Sequence, residues 1–159
     1  MNSEAAIFFL TTVRPTVVDF ERHPNSVRHA RLAAMVLYHM ADHFALDGFE
    51  SRDRNLMDSR VEDFRDEFLA DCPEYALIRD IADATKHAKL SVAKKRPRKL
   101  SNSNQLDATP GLFQAPFGTG AFAEGSRVFA ILDDKSRRPV LPAVLSVLDA
   151  WRRKLKVAR

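Results

Sequence analysis

Four side chains in one stretch have the types and spacing for work on a charged substrate. They are Arg79, Asp80, Asp83 and His87, within PEYALIRDIADATKHAKL, residues 73–90. An imidazole changes charge near neutral pH and serves as general base or acid. A guanidinium grips a phosphate and offsets charge that develops on it. A neighbouring carboxylate, Asp80 or Asp83, orients either one. Arg79, Asp83 and His87 are spaced four apart, so they share one face of a helix. Eight steps of helical rise set the outer two Cα atoms roughly 12 Å apart. Asp83 between them also pairs with both, and the set is then a surface ion-pair ladder without catalysis.

The element that must carry these groups is a helix over Pro73–Leu90. Pro73 suits a first turn, where a missing N–H costs nothing, and Asp71 or Cys72 is placed to cap. Glu74 lies near the positive end of the helix dipole, and Lys86, His87 and Lys89 near the negative end. Leu77, Ile78, Ile81, Ala84, Thr85 and Ala88 recur at three and four residue steps and form the packing face. The polar stripe falls nearly opposite, so it is expected to meet solvent, a groove or a second subunit.

The pair Arg79-Asp80, followed by His87 on a late helix after a run of earlier helices, resembles the HEPN superfamily of small helical-bundle proteins. The likeness covers the first 90 residues loosely and the motif narrowly. Seven residues, Asp80 to Lys86, lie between Arg79 and His87, more than the family's usual spacing. Many members are metal-independent ribonucleases of toxin or defence systems that act across a homodimer interface. Others are non-catalytic binding modules. The resemblance implies a homodimer acting on RNA through its 2′-hydroxyl, without a cofactor. His87 and Arg79 would be catalytic and Asp80 or Asp83 would orient one of them. The alternative is a non-catalytic helical module that meets a protein partner through the polar stripe or a hairpin.

Charge is unevenly distributed. Residues 42–83 hold 13 acidic and 5 basic side chains, a balance of −8, which leaves +12 for the rest of a chain of net charge +4. Lys86, Lys89, Lys94, Lys95, Arg96, Arg98 and Lys99 follow one another with no acid among them. Such a run tracks a polyanion backbone, with strong salt dependence. It lacks interleaved aromatics, and the plainer reading is a solvated loop. His39 and His43, four apart with Asp42 beside them, could face one metal, with His87 as a further ligand. The plain alternative is two histidines hydrogen-bonded at the edge of a buried helix. Phosphate-loop, paired-cysteine and nucleophile-elbow patterns are absent, and Gly118-Thr119-Gly120 reads as loop.

The scaffold follows from periodicity. A helix over residues 4–22 contains Pro15, which should kink or split it. Asn25 or Ser26 caps a second helix to about Ala45, apolar around most of its circumference and so central, with Gly48 as its left-handed stop. A third helix runs near Leu56–Ala70. Leu112–Phe117 and Arg127–Leu132 are candidate strands, Asp133–Arg138 a turn, and Pro139-Val140 the start of a short return strand. Pro142 opens a last helix, Ala143–Lys156. The expected fold is mainly α: a four- to five-helix antiparallel bundle in one domain, with a basic loop and β-hairpin over residues 91–141. Cys72 stands alone, so no internal disulfide framework exists, which fits the cytoplasm. There is no evident leader, and the apolar run Ala5–Leu10 is too short for a bilayer.

Overall fold

The computed structural model describes residues 3–91, 97–109 and 127–157. The fold is mainly helical, with a small antiparallel sheet before the C-terminal helix. Helix α1 (Glu4–Phe8) passes through a π turn (Phe9–Val13) into α2 (Arg14–Arg22). Then follow α3 (Val27–Ala45), α4 (Arg54–Asp71) and α5 (Tyr75–His87). A 3-10 turn (Ser103–Gln105) leads into β1 (Leu106–Ala108), β2 (Val128–Ile131) and β3 (Arg137–Pro139), and α6 (Val140–Leu155) closes the described chain. The strands lie in the order β1-β2-β3, with Leu106 opposite Ala130 and Phe129 opposite Pro139.

Helix α3 is central, as its apolar circumference predicts. Ala30, Ala33, Ala34, Leu37, Met40 and Ala41 are fully buried. Small residues let neighbouring helices come close, and two of those neighbours hydrogen-bond to α3 itself. Trp151 Nε1 donates to the Leu37 carbonyl at 3.1 Å, and the Tyr75 hydroxyl to the Tyr38 carbonyl at 3.2 Å. Phe68 stacks on Trp151 at 4.1 Å between ring centroids and meets Tyr75 edge-on at 4.9 Å. These rings tie α4, α5 and α6 together around the middle of α3.

Caps set the helix starts. Ser26 accepts from the His29 N–H, and Asp53 from the Leu56 N–H. The Asp53 cap begins α4 two residues before the expected Leu56. Gly48 stands at φ +70, as a left-handed stop after α3 requires. Pro15 sits at the start of α2, where the segment divides into two short α-helices joined by the π turn. Widening the turn at Phe9–Val13 lets the Arg14 N–H bond back to the Phe9 carbonyl, and the backbone stays helical past the proline. Helix α6 starts at Val140 rather than near Ala143, because Pro142 sits in its first turn, where its missing N–H costs nothing.

The loop-to-sheet region departs most from expectation. The expected strand Leu112–Phe117 and the loop Gly118-Thr119-Gly120 lie outside the described residues. Strand β2 pairs on one side with β3 and on the other with β1, a three-residue strand. It is introduced by a capping box in which Asn102 and Gln105 satisfy each other's backbone N–H groups. Local side-chain hydrogen bonds of this kind leave no period in a sequence.

Candidate functional site

Helix α5 is shorter than the stretch Pro73–Leu90. Glu74 occupies its cap position without a side-chain cap bond, so neither Asp71 nor Cys72 caps it. Helix α5 stops at His87 because Ala88 has φ 59 and ψ −49. The Lys89 N–H turns back to the His87 carbonyl at 2.6 Å, which closes a tight γ-type turn. Positive φ strains an alanine and not a glycine. Ala88→Gly is therefore expected to raise the unfolding free energy by roughly 0.5–1 kcal/mol, measured as a higher urea midpoint at unchanged slope.

Arg79 and Asp80 do not line an open face. Arg79 is 7 % exposed and Asp80 0 %. The Asp80 Oδ1 atom accepts from Arg79 Nε at 2.9 Å and lies 2.7 Å from Nη2, while Oδ2 accepts from the Lys99 N–H at 2.8 Å. Arg79 Nη2 also donates to the Pro97 carbonyl at 3.0 Å. Arg98 Nη1 donates to Asp83 at 2.9 Å and lies 3.9 Å from Asp80. Residues 97–99 thus lie across α5 as a strap, and the pinned chain buries Leu100 completely. Arg79, expected on a face open to solvent, a groove or a second subunit, is covered by this strap, while Asp83 keeps partial access to water. The strap covers the face that a helical wheel leaves open, and a wheel sees only one helix.

His87 is exposed at the last position of α5, and no described side chain bonds to it. The structure therefore brings Arg79, Asp80, Asp83 and Arg98 together and leaves His87 apart from them, at the end of α5. Lys86, Lys89 and Lys99 are exposed, and none forms an ion pair with a described residue. Asp80 and Asp83, the nearest acids along α5, are already matched by Arg79 and Arg98. Of the expected polyanion-tracking set, Arg98 pairs with Asp83, while Lys94, Lys95 and Arg96 lie outside the described residues. The antiparallel bridge between Lys89 and Asn102 and the bond from the Ser103 N–H to the Ala88 carbonyl return the chain along this end of the bundle. Arg31, near the start of α3, reaches the same place by donating to the Ser103 carbonyl at 2.8 Å.

His39 and His43 have different surroundings. His39 Nδ1 lies 3.3 Å from Asp42 Oδ2, whereas the His43 ring stacks on Phe8 at 3.6 Å. Among the described residues no group of three His, Cys, Asp or Glu side chains is placed to hold a metal ion.

A second polar cluster had no motif to announce it. Arg65 bonds to Asp42 at 3.0 Å and to Glu62 at 2.7 Å, and its guanidinium lies 4.3 Å over the Tyr38 ring. A trace was present in the sequence: Arg65 lies four residues after Val61 and three before Phe68, at the edge of the inward face of α4. Burial favours protonated Asp42, but the His39 hydrogen bond and the Arg65 charge outweigh it and hold the carboxyl below its ordinary range. Burial pushes the Tyr38 phenol from 10.0 up to about 12, and pushes Tyr75 up as well. Because these pKa values are raised on folding, the associated stability is complete below pH 10 and fades as pH rises through about 12. These are the chain's two tyrosines. Midway between those pH values, native protein is expected to show little phenolate absorbance while urea-unfolded protein is largely ionised.

No family model, no curated protein and no solved structure matches this chain.

Proposed function

We propose that the protein binds RNA through the basic end of α5, and that the Arg79–Asp80 pair holds the binding strip in place without touching the phosphates. The observation that carries this reading is the pairing pattern. Asp80 and Asp83 are neutralised internally, while Lys86, Lys89 and Lys99 face solvent without an ion-pair partner among the described residues. Exposed amines on a fixed backbone suit phosphates whatever the base sequence. The HEPN resemblance favours RNA over other polyanions.

The ribonuclease form of the reading requires a guanidinium beside His87. Arg79 is committed to Asp80 and the Pro97 carbonyl, so a second subunit would have to supply one. Incubating labelled RNA with purified protein in EDTA separates the two forms. Binding is expected, with the RNA intact and with His87→Ala changing affinity less than about threefold, as for one peripheral contact. Cleavage that is lost in His87→Ala would restore the catalytic form. Failure to retain RNA at low salt would end the binding form.

A further inference from the structure

At the opposite, acidic side of the molecule the end of α3 and the face of α4 enclose a half-open groove of about 510 Å³. Phe44 and Phe64 lie against it, 4.8 Å apart, and Phe49 and Leu56 form its sides. Leu56 is 57 % exposed, the most open of the large apolar side chains among the described residues. The groove is held open by fixed contacts. Gly48 turns the chain after α3, the Phe49 N–H bonds to the Leu46 carbonyl at 3.0 Å, and Asp47 accepts from the Ala5 N–H at 3.4 Å. Arg60 Nε donates to the Ala45 carbonyl at 2.6 Å while its guanidinium lies 5.1 Å over Phe49. That cation is therefore held against the wall. The rim carboxylates Asp63 and Glu67, one turn apart on α4, form no hydrogen bond or ion pair with a described residue.

We infer that this groove docks a basic amphipathic helix of a partner protein, with an apolar side chain between Phe49, Leu56 and Phe64 and lysine or arginine on Asp63 and Glu67. Three features select that occupant. The floor is aromatic and aliphatic, which suits an apolar anchor. Among the lining charges two carboxylates outnumber the single guanidinium of Arg60, within the segment of balance −8, which suits cations. The groove is half-open, whereas small ligands are held where most of their surface is covered. Two acids four residues apart on α4 match basic residues at helical spacing on the partner, the pattern of helix-in-groove recognition.

The inference is independent of RNA binding, because the groove shares no residue with the basic strip. The probe is a fluorescein-labelled amphipathic peptide of leucine and lysine, with leucines at helical spacing. Its leucine–glutamate counterpart serves as control. Anisotropy reports binding, and so does the emission of Trp151, whose ring lies 5.9 Å from Phe44 and 5.7 Å from Phe64. The leucine–lysine peptide is expected to bind. Asp63→Asn with Glu67→Gln, and separately Leu56→Ser, are each expected to weaken it by roughly tenfold or more. Asp58→Asn, on α4 outside the groove, is expected to leave it unchanged, as is Lys86→Glu. These exposed positions carry little folding energy, so the variants fold. Equal binding by the groove variants, or by the glutamate peptide, overturns the inference. So does self-association of the protein that Leu56→Ser abolishes, because the occupant would then be a second copy of this chain.

Discussion

Asp80→Ala is expected to lose about 3–5 kcal/mol of unfolding free energy, because it leaves a buried guanidinium without its counter-charge. Asp80 is completely buried and its two oxygens serve Arg79 and the Lys99 N–H. Removing the carboxylate orphans both donors and frees the strap at Pro97–Lys99 from α5. Domains of this size unfold at about 5–15 kcal/mol, so such a loss lowers the urea midpoint severely. Arg79→Ala is expected to lose stability on a similar scale, since it isolates the buried carboxylate instead. Asp83→Asn is expected to cost less, because Asp83 and its partner Arg98 keep access to water at 19% and 22% exposure. If Arg79 were a phosphate-gripping residue and no more, Arg79→Ala would leave the urea midpoint where it was. Unfolding curves for these three substitutions thus distinguish a structural pin from a substrate contact.

Reversing three charges on the basic strip, Lys86→Glu with Lys89→Glu and Lys99→Glu, is expected to weaken RNA binding on the order of a hundredfold at low salt. The three amines are exposed, and the backbone beneath them is held by other groups. The Lys99 N–H is fixed by Asp80, and the bonds around Ala88 fix Lys89. The lysine side chains form no hydrogen bond or ion pair with a described residue, so the circular dichroism spectrum and urea midpoint are expected to change little. A loss of binding in a variant that unfolds normally locates the RNA surface. Arg52→Glu with Arg54→Glu, both exposed beside the start of α4, changes the net charge as much as Lys86→Glu with Lys89→Glu does and controls for a general effect of net charge.

The bundle was legible because helices write their packing face at a period of 3.6 residues. The burial of α3 follows from its run of alanines and large apolar residues. Gly48 and Ser26 mark boundaries by their own backbone chemistry. The sheet was only half legible. β2 carries β-forming residues, whereas β1 exists because a capping box at Asn102 and Gln105 turns the chain into register with it. The candidate site was legible by residue type but not by surroundings. Arg79 and Asp83 lie on the polar side of the α5 wheel, yet residues 97–99 cover that side. The spacing within α5 contains no signal of a strap arriving from fifteen or more residues downstream. Arg65 was hidden for a related reason: a charged residue at the edge of an apolar face is indistinguishable from surface until Asp42 and Tyr38 are seen to meet it.

The salt dependence of RNA binding tests the central claim most directly. A labelled single-stranded RNA is titrated in rising potassium chloride with the unmodified chain and with the triple lysine variant. The logarithm of affinity is expected to fall steeply with the logarithm of salt for the unmodified chain, and the slope to shrink by about 2 in the variant, near 0.7 for each phosphate contact removed. Equal slopes for the two proteins would place the RNA elsewhere on the molecule and contradict the assignment of the basic end of α5.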